Sequence, residues 1–220
     1  MKTLSYRFRP SQQRGFSLLE LAIALSIVAI LAGGFLKGRE LLLSSRVQGV
    51  IDQLQGLDTA VSAFEAKFGA LPGDFSNPNA AVPGGAGDDS GAIDNAAEAG
   101  RVFAHLSGAG LIKGNFTATE ISGLCPKTTC PATAFGGTLT VATGTTRAKT
   151  GTESAALEAS TGEQVPAKQL AELDRKLDDG NPRTGAFRAS GAESYAACMT
   201  TTGWNEAANP RNCAGVYLLQ

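Results

Sequence analysis

The sequence predicts an α+β protein in which one long N-terminal helix packs on a small antiparallel β-sheet head with extra short helices. Three observations carry this. Phe16 to Leu36 is an apolar stretch with one charged side chain. An apolar stripe at helical spacing continues to Phe68. Beyond it, short helical and strand-like segments alternate with turns rich in Gly, Pro, Asn and Asp.

The charge distribution orients the chain. Residues 1–15 carry Lys2, Arg7, Arg9 and Arg14 and no acid. Of 19 Lys and Arg overall, these four leave 15 against 20 Asp and Glu, so the remainder is −5. A mildly acidic remainder gives no reason to expect a nucleic-acid partner. The basic residues before the apolar stretch predict that residues 1–15 stay in the cytoplasm and the rest is exported. As a helix at 1.5 Å per residue, Phe16–Leu36 covers roughly 30 Å, about one hydrocarbon core.

An ordinary secretory signal has a shorter apolar stretch with a small-residue cleavage site after it. Here Gly15 comes before the stretch and follows Arg14 directly, so cleavage there would leave the helix on the mature protein. Glu20 is the lone charge within it. A carboxylate in a lipid-facing helix costs about 2.5–3.5 kcal/mol at the bilayer centre and less near the edge. Either it pairs with a free amine of a neighbouring copy, which offsets its desolvation, or it is an acid tolerated near the interface by snorkelling.

The segment Arg14-Gly15-Phe16-Ser17-Leu18-Leu19-Glu20-Leu21 resembles the class III signal of the type IV pilin superfamily, which includes pilins and the pseudopilins of type II secretion and competence. The resemblance implies a pilin fold, and a prepilin peptidase that cuts between Gly15 and Phe16 and methylates the new amine of Phe16. It implies that Glu20 sets the register between helices in a helical filament of related copies. It also implies assembly partners: an inner-membrane platform protein and its ATPase. On this reading residues 1–15 are a leader and 16–36 a transmembrane half-helix. Residues 37–69 form an amphipathic half and 70–220 a periplasmic or extracellular head. The chain would be a single-pass protein of the bacterial inner membrane, then part of a periplasmic or cell-surface filament. Many pilins place a proline late in the apolar stretch, where this chain has Lys37. Its Gly33-Gly34 pair, of poor helix propensity, is a candidate for local melting on assembly or for close packing against a partner helix.

Val47, Val50, Leu54, Leu57, Val61, Phe64 and Phe68 recur at spacings of three and four, a single apolar face. This face would seat the head, or a coiled-coil partner. Gly69, with Pro72 after it, is a natural stop. A short helix is expected from Ala96 to about Leu106, with Val102, Phe103 and Leu106 on its apolar side. A strand is expected over Thr138–Thr145. Pro166 opens a helix that runs to about Leu177, with Leu170, Leu173 and Leu177 on one side. Further strands are expected over Gly185–Ser190 and Gly215–Leu219. The segments Phe103-Ala104-His105-Leu106 and Leu173 to Pro182 also resemble recurrent stretches of pilin-like proteins.

Cys125, Cys130, Cys198 and Cys213 form an even set without CxxC spacing, which points to two disulfides in an oxidising compartment rather than buried thiols. Cys125 and Cys130 are close enough for a small loop. A Cys198–Cys213 bridge would span the connection between the last two strands, a placement that resembles the C-terminal disulfide loop of many pilins.

No GxSxG, HExxH or phosphate-cradling glycine loop is present, and the single histidine, His105, serves no such motif, so an enzyme is not expected. No cofactor is required by any motif. Calcium is the one ligand to weigh. Asp88, Ser90, Asp94 and Glu98 lie in a stretch that resembles the middle of an EF-hand loop, with Gly91 at its turn. Ala86 and Ala97 stand where acids belong. Asp174, Asp178 and Asp179 are the alternative set, because major pseudopilins hold calcium with loop carboxylates near their C-terminal end. A solvated acidic turn is the reading favoured for both. The expected role is therefore a structural subunit, a major or minor pilin. The alternatives are a type II secretion or competence pseudopilin, and a singly anchored periplasmic binding module that never polymerises.

Overall fold

The first helix does not stop where the apolar stretch ends. In a computed structural model describing residues 15–77, 82, 84–121, 124–149 and 151–220, α1 runs from Leu18 to Phe68. The chain forms two compact units, Met1–Leu42 and Leu43–Gln220. In the first, the described side chains from Phe16 to Phe35 are exposed, and an 18-residue window has mean hydropathy 2.3. This helix is long and apolar enough to cross a membrane.

In the second unit the stripe read from spacing is the core. Val47, Val50, Leu54, Leu57, Val61 and Phe64 are buried, with Ile51 and Ala60 beside them, and Phe68 is half-buried against the same cluster. Burying each of the larger side chains contributes about 1.5–3 kcal/mol. Phe64 is ringed by Phe68 at 4.5 Å, Phe75 at 6.0 Å and His105 at 6.1 Å. Gly69 takes φ +76°, a left-handed value that a side chain would strain, and ends the helix.

α2 spans Ala96–Gly108, two residues longer than its sequence signal, and Asn95 caps it by accepting the Glu98 N–H at 2.9 Å. His105 is a packing residue. Its Nδ1 accepts the Gly73 N–H at 2.9 Å and its Nε2 lies 3.0 Å from the Gly85 carbonyl. That pair of bonds fixes the neutral tautomer with Nε2 donating, and burial holds the imidazole below its ordinary value.

The sheet has order β1-β2-β4-β3, all neighbours antiparallel, from β1 (Thr140–Gly144), β2 (Ala156–Ser160), β3 (Phe187–Ala189) and β4 (Gly215–Leu218). The C-terminal strand is central, with Ala159 opposite Tyr217 on one side and Phe187 opposite Tyr217 on the other. β2 was not expected from the sequence. α3 (Ala167–Leu177) buries Leu170 and Leu173, and its first free amides are capped from elsewhere. The Pro210 carbonyl accepts the Ala167 N–H at 2.9 Å and Asn209 Oδ1 accepts the Lys168 N–H at 3.0 Å. A 3-10 helix, Glu193–Cys198, precedes the loop that supplies these caps. α1 and α3 meet through Ser44, which donates to Glu172 Oε1 at 2.9 Å, while Lys176 pairs with the same carboxylate.

Candidate functional site

The N-terminal site is built from a helix start. Ser17 lies just before α1, where its carbonyl accepts the Leu21 N–H at 3.1 Å and its Oγ lies 3.3 Å from the Leu19 N–H. Gly15 and Phe16 precede it without regular structure, and Phe16 is 81% exposed. The Gly15–Phe16 bond is thus exposed and irregular, directly ahead of the helix start. Glu20 falls in the first turn of α1, where the free amides of the helix start favour a negative charge. It is exposed among apolar neighbours, four residues after Phe16. Gly33 and Gly34 are helical, and nothing lies within 4 Å of where a Cβ would stand. Of the expected leader, residues 1–15, all but Gly15 lie outside the described residues.

The first acidic site gathers residues far apart in sequence. Carboxylate oxygens of Asp74, Asp88 and Glu98 lie within 4.8 Å of one another, and Asp74 and Glu98 are each only 1% exposed. Asp74 is held by the Ser90 N–H at 3.0 Å and the Gly91 N–H at 2.9 Å. Asp88 also accepts the Ser90 N–H, at 3.0 Å, and that residue's side-chain and backbone bonds keep the Asp88 carboxyl below the usual range. Asp94 is not in the trio: its backbone N–H donates to Glu98 Oε2 at 3.3 Å, while its carboxylate accepts from Asn95. Ser90 Oγ also lies 3.4 Å from the Ala92 carbonyl. Asp74, in the turn after α1, was not singled out from the sequence, and no local spacing connects it with Glu98.

The second acidic site sits at the C-terminal end of α3. Asp174, Asp178 and Asp179 present oxygens within 4.8 Å of one another, with Asp174 fully buried. Asp174 accepts the Trp204 indole N–H at 2.7 Å and the Gly180 N–H at 3.1 Å. Asp178 accepts from the backbone of Ala186 and Phe187, and Asp179 accepts the Asn181 N–H at 2.8 Å and the Thr184 hydroxyl at 2.5 Å. Gly185, at φ +77°, lets the chain pass the Asp178 carboxylate where a Cβ would collide with it. Burial, then the negative charges of Asp179 and Asp178, push the Asp174 carboxyl up to about 6 against its two hydrogen bonds. Either trio has the oxygen chemistry a hard divalent cation takes. In the second, protein donors already engage both oxygens of Asp174 and Asp179 and one of Asp178.

Disulfides join Cys125 to Cys130 and Cys198 to Cys213. The second closes the loop that caps α3 and carries Trp204 to Asp174.

Residues 10–36 match the family model of the prokaryotic N-terminal methylation motif. Comparison with curated proteins and with solved structures returns no significant match. The matched segment holds the Gly15–Phe16 junction, Glu20 and the apolar helix, ahead of an α+β head built on the continuation of that helix. Residues 10–36 therefore carry a prokaryotic N-terminal methylation motif, the class III signal of type IV pilin-like proteins.

Proposed function

We propose that this protein is a structural subunit, a major or minor pilin, of a type IV pilus or pilus-like filament, assembled from the inner membrane after leader cleavage and N-methylation. The observation that carries the reading is Glu20, one carboxylate on an otherwise exposed apolar helix, one turn after the Gly15–Phe16 bond. An anchor alone would gain by having leucine there. Cleavage at Gly15 creates an ammonium on Phe16 in the same zone, so the amine of one copy can neutralise the carboxylate of the next. The apolar faces pack into a filament core, Glu20 fixes their axial register, and the head remains outside. Prepilin peptidase, an assembly ATPase and its membrane platform are the partners this route requires, and the head would lie in the periplasm before assembly.

Two measurements test this. Mass spectrometry of the protein from its native host should give an N-methylated Phe16; an intact Met1 would fit a non-polymerising anchored module instead. Glu20→Ala and Glu20→Gln should insert into the membrane normally yet fall at least about tenfold in the filament fraction, the loss of about 1.4 kcal/mol of pairing. Normal incorporation of both variants would remove the role assigned to Glu20.

A further inference from the structure

Past the membrane-crossing stretch, three large apolar side chains are exposed among the described residues: Leu41 at 71%, Leu42 at 65% and Leu124 at 68%. Only the first two are adjacent. They follow the charged stretch Lys37-Gly38-Arg39-Glu40, and Leu41 lies five residues beyond Leu36, about 7.5 Å along a helix. A headgroup layer is about 5–7.5 Å deep on each side, so for a helix along the bilayer normal Leu41 stands at its outer edge and Leu42, one residue on, just beyond it.

The second unit offers a matching groove. It encloses about 670 Å³, within the range of binding clefts. Buried Leu57, Phe103 and Leu139 form its floor and half-buried Ile112 and Phe116 its walls. Charges stand at the groove and the segment alike. Among the described residues Asp52 at the groove is bonded only to the neutral Gln48 amide, at 3.0 Å, and Lys113 lines the same groove from another segment of the chain. Neither has an ion pair among the described residues. On the exposed segment, among the described residues, Arg39 lies over the Phe35 ring at 5.8 Å and has no carboxylate partner, while Glu40 is held only by an exposed pair with Lys37. The signs are complementary: Arg39 suits Asp52 and Glu40 suits Lys113.

We propose that the groove receives the Leu41–Leu42 segment of a second copy of this chain. This rests on the filament reading and adds the head contact to it. The two surfaces are different, so each copy offers both. Such a heterologous contact propagates rather than closing into a dimer, as a helical array requires. Because both leucines are exposed in the single chain, their replacement leaves the head core untouched.

The test uses the full chain, expressed with its leader in a host that processes class III signals, with p-benzoylphenylalanine in place of Phe116. Irradiation should give dimers whose cross-linked peptides join position 116 to residues 39–46. The pair Leu41→Ser with Leu42→Ser should lower their yield about tenfold or more. A probe at exposed Lys113 should give the same products, which covers disturbance of the groove wall by the Phe116 probe. A probe at Ile27, on the apolar helix, reports helix association independently. Dimers from Ile27 with none from either groove probe would overturn the groove contact and leave the filament reading standing. So would capture of lipid, of another protein, or of a different segment of this chain. No dimers from any probe would overturn the filament reading itself.

Discussion

Removing the charge of Asp174 should abolish a pH dependence whose size and sign follow from its surroundings. The carboxyl is fully buried at the C-terminal end of α3, where the helix carbonyls already repel it, and the Asp178 and Asp179 carboxylates lie within 4.8 Å. Arg175 and Lys176, the nearest cations in sequence, are engaged with Glu206 and Glu172 instead. The carboxyl is consequently raised from 3.8 to about 6. A group whose value is higher in the folded state binds its proton more tightly there. Its contribution to stability is present below the unfolded value and is lost as pH rises through about 6. Between pH 7.5 and pH 4.5 the folded protein should gain about 2 kcal/mol from this group, at about 1.4 kcal/mol per tenfold change in proton affinity. Asp174→Asn keeps the shape and an acceptor for the Trp204 indole but cannot titrate. Its amide also opposes the Gly180 N–H, and that cost is the same at both pH values, so it cancels. The assay is urea unfolding in EDTA, followed by the fluorescence of Trp204, the single tryptophan of the chain and the direct partner of Asp174. The wild-type-minus-variant difference should rise by about 2 kcal/mol on acidification. A change under about 0.5 kcal/mol, or a change of opposite sign, would refute the reasoning that burial and like charge control this carboxyl.

Three further outcomes are expected. Phe64→Ala removes the ring at the centre of the Phe68, Phe75 and His105 cluster and should cost about 3–5 kcal/mol in urea unfolding; a loss below about 1 kcal/mol would show the site repacks freely. Replacing both Cys198 and Cys213 with Ser opens a bridge with sequence separation 15 and should cost about 3 kcal/mol, whereas the Cys125–Cys130 pair, at separation 5, should cost about 2. The reverse order in thermal melts would contradict the loop-closure argument. Adding millimolar calcium to chelator-treated protein should move the melting midpoint by less than about 2 °C, because hydrogen bonds from the protein already hold the carboxylates of both acidic trios. A rise above about 5 °C would assign one of them to a bound cation.

What the sequence disclosed depended on how local each signal was. The stripe from Val47 to Phe68 was legible because a helix repeats every 3.6 residues whatever it packs against, and those side chains are the core. Glu20 was legible because an apolar stretch supplies the contrast that makes one charge conspicuous. β2 was not, for the opposite reason. Ala156-Leu157-Glu158-Ala159-Ser160 is made largely of helix formers, and no alternation marks it. It is a strand because β1 and β4 flank it and supply its hydrogen bonds, and because Glu158 finds buried Arg147 and the Thr146 amide across the turn. Propensity lost to partners that a linear reading does not bring together. Asp74 follows the same logic, being brought to Glu98 by the turn after α1 and to Ser90 and Gly91 by the loop before α2. The EF-hand likeness of residues 88–94 drew notice to Asp94, whereas the carboxylate the loop folds around comes from fourteen positions before Asp88. A local pattern can name the segment that holds chemistry. The residue at its centre is chosen by tertiary contacts, and in this head those contacts come from the turns.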